Sequence, residues 1–136
     1  MNKIINELIK LSNKALENDD VPVSCIITQN NKIISKAYNK KVKNNDPLAH
    51  AEILCIKKAA KKLKTNNLND CEMYCLLYPC GMCREVINEV RIKNVFYILE
   101  NEKINNQSFC LNKLDVDSKL KKELSKKIST FFKNKR

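Results

Sequence analysis

The sequence predicts an α/β fold, a single domain in which helices and strands alternate along 136 residues. Three observations carry that reading. Apolar residues recur every three or four positions in separate segments, β-rich runs lie between those segments, and no repeat or linker divides the chain. A hydrophobic content of 43% with a single glycine leaves enough apolar side chain to bury one core without crosslinks.

Ile4, Ile5, Leu8, Ile9, Leu11, Ala15 and Leu16 mark one face of a first helix, which Asn18-Asp19-Asp20 and Pro22 bring to an end. Val21 to Gln29 and Lys32 to Tyr38 are β-rich runs joined by Asn30-Asn31, residues that tolerate the positive φ of a tight hairpin turn. They are expected to pair antiparallel. After a polar stretch ending in Asp46-Pro47, the repeat of Ile53, Ile56, Ala60 and Leu63 predicts a helix from about Ala49 to Leu63 with a lysine-rich outer face. Glu72 to Tyr78 reads as a third strand, Cys80 to Val90 as a short helix and Asn94 to Leu99 as a fourth strand, an order that implies a parallel pair. Phe109 to Leu114 is a short fifth strand, and about Val116 to Phe132 closes the chain as a basic helix.

The net charge of +11 would steer anionic partners, nucleic acid first among them, toward so small a domain. The plainer reading is a Lys- and Asn-rich composition inherited from a genome poor in G and C. Seven cysteines is an odd count, and with no signal peptide expected it argues for a reducing cytoplasm with thiols free for metal. No apolar run approaches the roughly 20 residues of a membrane-spanning helix.

The chemistry concentrates in His50-Ala51-Glu52 and in Pro79-Cys80-Gly81-Met82-Cys83, both at predicted helix starts. A catalytic zinc takes three protein ligands from imidazole and thiolate and keeps a fourth position for water. His50, Cys80 and Cys83 fit that count, and two thiolates balance the charge of the ion. The helix start favours thiolate through its unpaired N–H groups, and Pro79 has no N–H to lose at that turn. Glu52, two residues beyond His50, would project near the metal without joining it, placed to move protons as a general acid and base. Taken alone, Cys-x-x-C also suits a redox pair or half of a structural zinc site, and a lone histidine suits simple packing. Cys71 and Cys75 are poorly spaced to complete a four-cysteine site; with Cys25, Cys55 and Cys110 they are expected to be small buried hydrophobes.

His-x-Glu followed by Pro-Cys-x-x-Cys is the signature of zinc nucleobase deaminases. Here the chain resembles the cytidine deaminase-like superfamily and, within it, the bacterial tRNA-specific adenosine deaminases (TadA). Further blocks carry the resemblance along nearly the whole chain: Val21-Pro22-Val23, Ala37-Tyr38-Asn39, Asp46-Pro47, Arg91-Ile92 with Val95-Phe96-Tyr97, and Phe131-Phe132. It implies a three-layer α/β/α fold, a mixed sheet of about five strands flanked by helices, over a single deaminase domain spanning residues 1–136. It also implies one Zn2+ per subunit, a cytoplasmic homodimer, and a tRNA anticodon stem-loop whose wobble adenosine, position 34, is hydrolysed to inosine with release of ammonia. By the same resemblance Asn39 hydrogen-bonds the flipped base and the backbone near Ala51 lines the same pocket. An asparagine amide offers a donor and an acceptor together, which suits a purine edge.

The chain also departs from that pattern. Tyr78 stands where the family usually has an acid, Ser24 where glycine is common, and the stretch between Leu99 and Val116 is short. Gly81 and Arg84-Glu85 look more like the cytidine deaminase version of the turn. Two further readings therefore stand beside the first: deamination of a small molecule such as guanine, cytidine or deoxycytidylate, and a non-catalytic zinc-stabilised RNA-binding subunit. Intact Glu52 speaks against the latter. Lys126, Lys127, Lys133, Lys135 and Arg136 form a basic tail that would favour tRNA.

Overall fold

A computed structural model describes residues 1–100 and 109–134. In chain order they form α1 (Asn2–Glu17), β1 (Ser24–Gln29), β2 (Lys32–Tyr38), α2 (Ala51–Leu63), β3 (Cys71–Leu77), α3 (Gly81–Glu89), β4 (Asn94–Leu99), β5 (Cys110–Lys113) and α4 (Ser118–Asn134). Lys135 and Arg136 of the expected basic tail lie outside the described residues.

The strands form one sheet in the order β2-β1-β3-β4-β5. β1 is antiparallel to β2 and β3, whereas β3, β4 and β5 run parallel, so the sheet is mixed as expected. The hairpin between β1 and β2 turns on Asn30 and Asn31, whose φ angles of 52° and 65° are those of a two-residue primed turn. A parallel neighbour cannot be reached through so short a loop, and α3 makes the crossover from β3 to β4.

Two faces of the sheet give two cores. Cys25 and Ile27 of β1 and Cys71, Met73 and Cys75 of β3 pack with Cys55, Ile56 and Ala59 of α2 and Ile87 of α3. The intervening residues Ile26, Tyr74 and Leu76 point the other way and pack with Ile5, Leu8 and Leu11 of α1 and Leu124 of α4. The result is the expected α/β/α layering. Ser24, where the resembled family has glycine, is fully buried and donates its hydroxyl to the Leu8 carbonyl at 2.6 Å, tying α1 to β1.

Four of the five cysteines expected in the core are there, but Cys110 is exposed. β5 is the short edge strand. Leu111 packs toward the core, and alternation turns its neighbour Cys110 to the other side. Several element starts come later than periodicity suggests, and two of them have a visible cause. β1 begins at Ser24 because Val21 to Val23 form a tight turn closed by the Val23 amide on the Val21 carbonyl at 2.7 Å. α2 begins at Ala51 because Asp46 accepts the amides of Leu48 and Ala49, through Oδ1 and its carbonyl respectively, and holds that stretch as a turn.

Asp20 joins the two loops that border the site. It is 1% exposed, its Oδ1 accepts the Val21 amide and its Oδ2 the Val42 amide, both at 2.9 Å. Asp20→Ala should therefore strand two amides and destabilise the protein by about 2–3 kcal/mol. A lower urea midpoint with an unchanged m-value is the expected result, and an unshifted midpoint would deny the loop junction its role.

Candidate active site

His50 and Cys80 occupy the same structural position, each the N-cap of a helix on one face of the sheet. Both have extended backbone, with φ and ψ of −71° and 148° at His50 and −68° and 171° at Cys80. Each carbonyl accepts the first helical hydrogen bond, from Leu54 and Arg84 respectively, at 3.0 and 2.9 Å. Neither side chain caps its own helix, so both are available to a third partner. Cys83 lies in the first turn of α3 and is fully buried.

His50 Nδ1 lies 3.7 Å from Cys80 Sγ and 3.6 Å from Cys83 Sγ. A tetrahedral centre with Zn–N of about 2.0 Å and Zn–S of about 2.3 Å sets N and S about 3.5 Å apart, so the spacing fits zinc. Among the described residues these three form the group able to hold a metal ion, their ligand atoms within 4.8 Å of one another. Electrostatics agree with the geometry. The two sulfurs resist ionising together: Cys80 falls to about 5, chiefly through the Cys83 thiol and then the amides of the opened helix turn and His50. Cys83 is pushed well above the ordinary thiol range by Cys80 and by burial. A divalent cation would relieve that repulsion and let both act as thiolates.

Glu52 sits in the first turn of α2 with 4% exposure. Burial, reinforced by the Cys80 thiolate, raises its carboxyl to about 7. Its Oε1 is buried without a hydrogen-bond partner among the described residues. An orphaned carboxyl oxygen beside two thiols and an imidazole is costly to keep unless a group from outside the chain meets it.

Glu52, His50 and Cys80 share a cavity of about 140 Å³ with Asn39 and Lys41, walled by Val21, Val23, Leu77 and Tyr78. Sites for drug-sized ligands run to about 300–1,000 Å³, so this one has room for a single ring system. Asn39 therefore reaches the cavity, and it also supports α2: its Oδ1 accepts the Ala51 amide at 2.8 Å. Ala51 is fully buried, is not among the cavity residues and spends its amide on Asn39.

Two groups were not singled out as site residues from the sequence. Arg84 is 7% exposed, donates Nη1 to the Pro79 carbonyl at 2.7 Å and lies over the Tyr78 ring, 5.4 Å from its centroid. It thereby braces the turn that carries Cys80 against a cavity wall. Tyr78 in turn meets Tyr97 edge-on at 5.1 Å. A buried arginine five residues beyond a loop proline leaves no periodic signal. Lys41, one of 26 basic residues, is equally inconspicuous until the cavity is seen.

The family model for the cytidine and deoxycytidylate deaminase zinc-binding region matches residues 1–99. A tRNA-specific adenosine deaminase of Aquifex aeolicus is 36% identical over 134 residues, 92% of this chain and 89% of that protein. The structure of a guanine deaminase from Bacillus subtilis is similar with a TM-score of 0.68 at 33% identity, covering 73% of this chain and 64% of its own. A structure from studies of A-to-I editing by tRNA:A34 deaminases shares the fold with a TM-score of 0.82 at 21% identity, covering 93% and 99%. The chain belongs to the cytidine and deoxycytidylate deaminase family and is a zinc-dependent hydrolytic deaminase.

Proposed function

We propose that this protein deaminates the wobble adenosine, position 34, of a tRNA anticodon stem-loop to inosine. The observation that carries the chemistry is Glu52, a buried carboxyl with one unpartnered oxygen in the same small cavity as His50 and Cys80. The substrate assignment is supported by similarity to tRNA-specific adenosine deaminases over nearly the whole chain and by the +11 charge.

In this reading residues 1–136 are one deaminase domain in which His50 Nδ1, Cys80 and Cys83 hold one zinc ion. When bound, zinc supplies a Lewis acid that makes water nucleophilic at neutral pH. Glu52 takes a proton from the attacking water and delivers it to the purine ring. As the amine leaves as ammonia, the same carboxyl hands on the second proton. A carboxyl raised to about 7 suits both directions of transfer. Asn39 faces the base with its amide NH2, because Oδ1 is held by Ala51. The apolar walls of Val21, Val23 and Leu77 keep water from the ring, and Ala51 acts through the helix start instead of touching substrate.

A homodimer is part of the same proposal. Val42, Leu48 and Met82 are large apolar residues 54%, 55% and 36% exposed, and each is near in sequence to a cavity residue. A second copy of the chain would cover them. The seven free cysteines favour a cytoplasmic location. No helix among the described residues is long and apolar enough to cross a membrane.

The metal assignment predicts about one zinc per purified chain. Cys83→Ala should lose that zinc together with thermal stability, because the ion joins two helix starts. Full zinc occupancy in the variant, read by atomic absorption, would sink the ligand set. Glu52→Gln should retain zinc while turnover falls by at least about 10²-fold, the low end for a positioned acid and base. Near-normal turnover would transfer the proton step to another group. An anticodon stem-loop with adenosine at the wobble position should yield inosine and ammonia, whereas free guanine and cytidine should react poorly. Rapid release of ammonia from guanine with no inosine in the RNA would favour a small-molecule deaminase, the role named for the Bacillus subtilis relative.

A further inference from the structure

We infer that Lys41 is a phosphate-binding residue at the mouth of the cavity, reading the phosphodiester beside the base that enters it. The inference rests on the deaminase reading above and deepens it toward the class of substrate.

The other residues around the cavity all have work in base deamination. His50 and Cys80 face the metal position, Glu52 the proton transfers and Asn39 the base, and the remaining wall is apolar or aromatic. Lys41 alone among them is a formal cation with no place in that chemistry. A purine or pyrimidine base is neutral, so a lysine does nothing for a free base that a hydroxyl or amide would not do better. The phosphate one ribose away carries the charge it would meet.

The chain holds Lys41 at this place. Its carbonyl accepts the Asp46 amide at 3.0 Å, and the amide of the next residue, Val42, is fixed on Asp20 Oδ2 at 2.9 Å. These main-chain bonds hold a half-buried residue that lines the cavity. No salt bridge or hydrogen bond engages its ammonium among the described residues. The nearby acids are otherwise placed: Asp20 is committed to two amides, Asp46 Oδ1 accepts the Leu48 amide, and Glu52 lies in the cavity with Oε1 unpartnered. The adjacent Lys40 is engaged elsewhere: it stacks over the Tyr38 ring, 4.9 Å from its centroid, and does not line the cavity.

The flanking phosphodiester of an RNA strand and the phosphate of a free nucleotide share this chemistry; the basic charge of the chain favours the strand. The test compares wild type with Lys41→Gln and Lys41→Arg on an anticodon stem-loop at several salt concentrations. Lys62→Gln, the same charge change on the exposed outer face of α2, serves as control. Lys41→Gln should raise KM about tenfold, more than it lowers kcat, and flatten the salt slope of log KM by about 0.7–0.9, one phosphate contact. Lys41→Arg should recover most of the loss, and Lys62→Gln should keep the wild-type slope. An unchanged KM and slope in Lys41→Gln, or an equal change in Lys62→Gln, overturns the assignment while leaving the tRNA reading intact. A wild type inactive on the stem-loop is then assayed on deoxycytidylate and cytidine. Preference for the phosphorylated substrate that Lys41→Gln abolishes sustains the phosphate site and rejects tRNA; no such preference rejects both.

Discussion

The hydrogen bond from the Ala51 amide to Asn39 Oδ1 is the constraint from which the site hangs. It satisfies one of the N–H groups that every helix start leaves open and anchors α2 to the residue that follows β2. His50 can then leave its own helix uncapped and turn its imidazole toward α3. Were the opening turn of α2 to slip, His50 and Glu52 would move together, and the 3.6–3.7 Å approach to the two sulfurs would be lost. The sheet supplies the other half of the alignment. Parallel pairing of β3 with β4 forces the crossover through α3, which brings Cys80 and Cys83 to the same end of the sheet.

Burial sets the chemistry of this junction. Two sulfurs and a carboxyl share a space from which water is largely excluded, and each raises the cost of ionising another. The split between Cys80, pulled down, and Cys83, pushed up, expresses the repulsion that a divalent cation would answer. Glu52 belongs to the same field but not to the ligand group, which suits a carboxyl that must both accept and release a proton. Arg84 binds the Pro79 carbonyl and lies over Tyr78, bracing the turn that carries Cys80. Tyr78, where the resembled family has an acid, thus adds no further carboxylate to a site already crowded with negative groups.

The positive charge of the chain is unevenly informative. Many lysines stand exposed on helices and on β2, where solvent screens them and their pairs contribute little, as Lys36 of β2 with Glu7 of α1 illustrates. Lys41 differs because main-chain hydrogen bonds fix its loop where the residue lines the cavity. Position in three dimensions, and not the total of +11, separates a recognition group from a solvated one.

Local rules carried much of this protein into view. The Asn30-Asn31 turn was legible because positive φ at both positions favours asparagine, and the layers because apolar residues follow helical and strand periods. His50, Glu52, Cys80 and Cys83 were legible because metal and proton chemistry demand those residue types at short spacings. The tertiary structure decided what depends on residues far apart in the chain. Asp20 reaches across 22 residues to Val42, and Asn39 across 12 to Ala51, bonds that no local period encodes. Cys110 shows the same limit in reverse. Its strand was predictable, but its exposure follows from β5 being the edge of the sheet. Sequence spacing specifies which groups can share one chemistry; only the packed sheet determines which of them face one another.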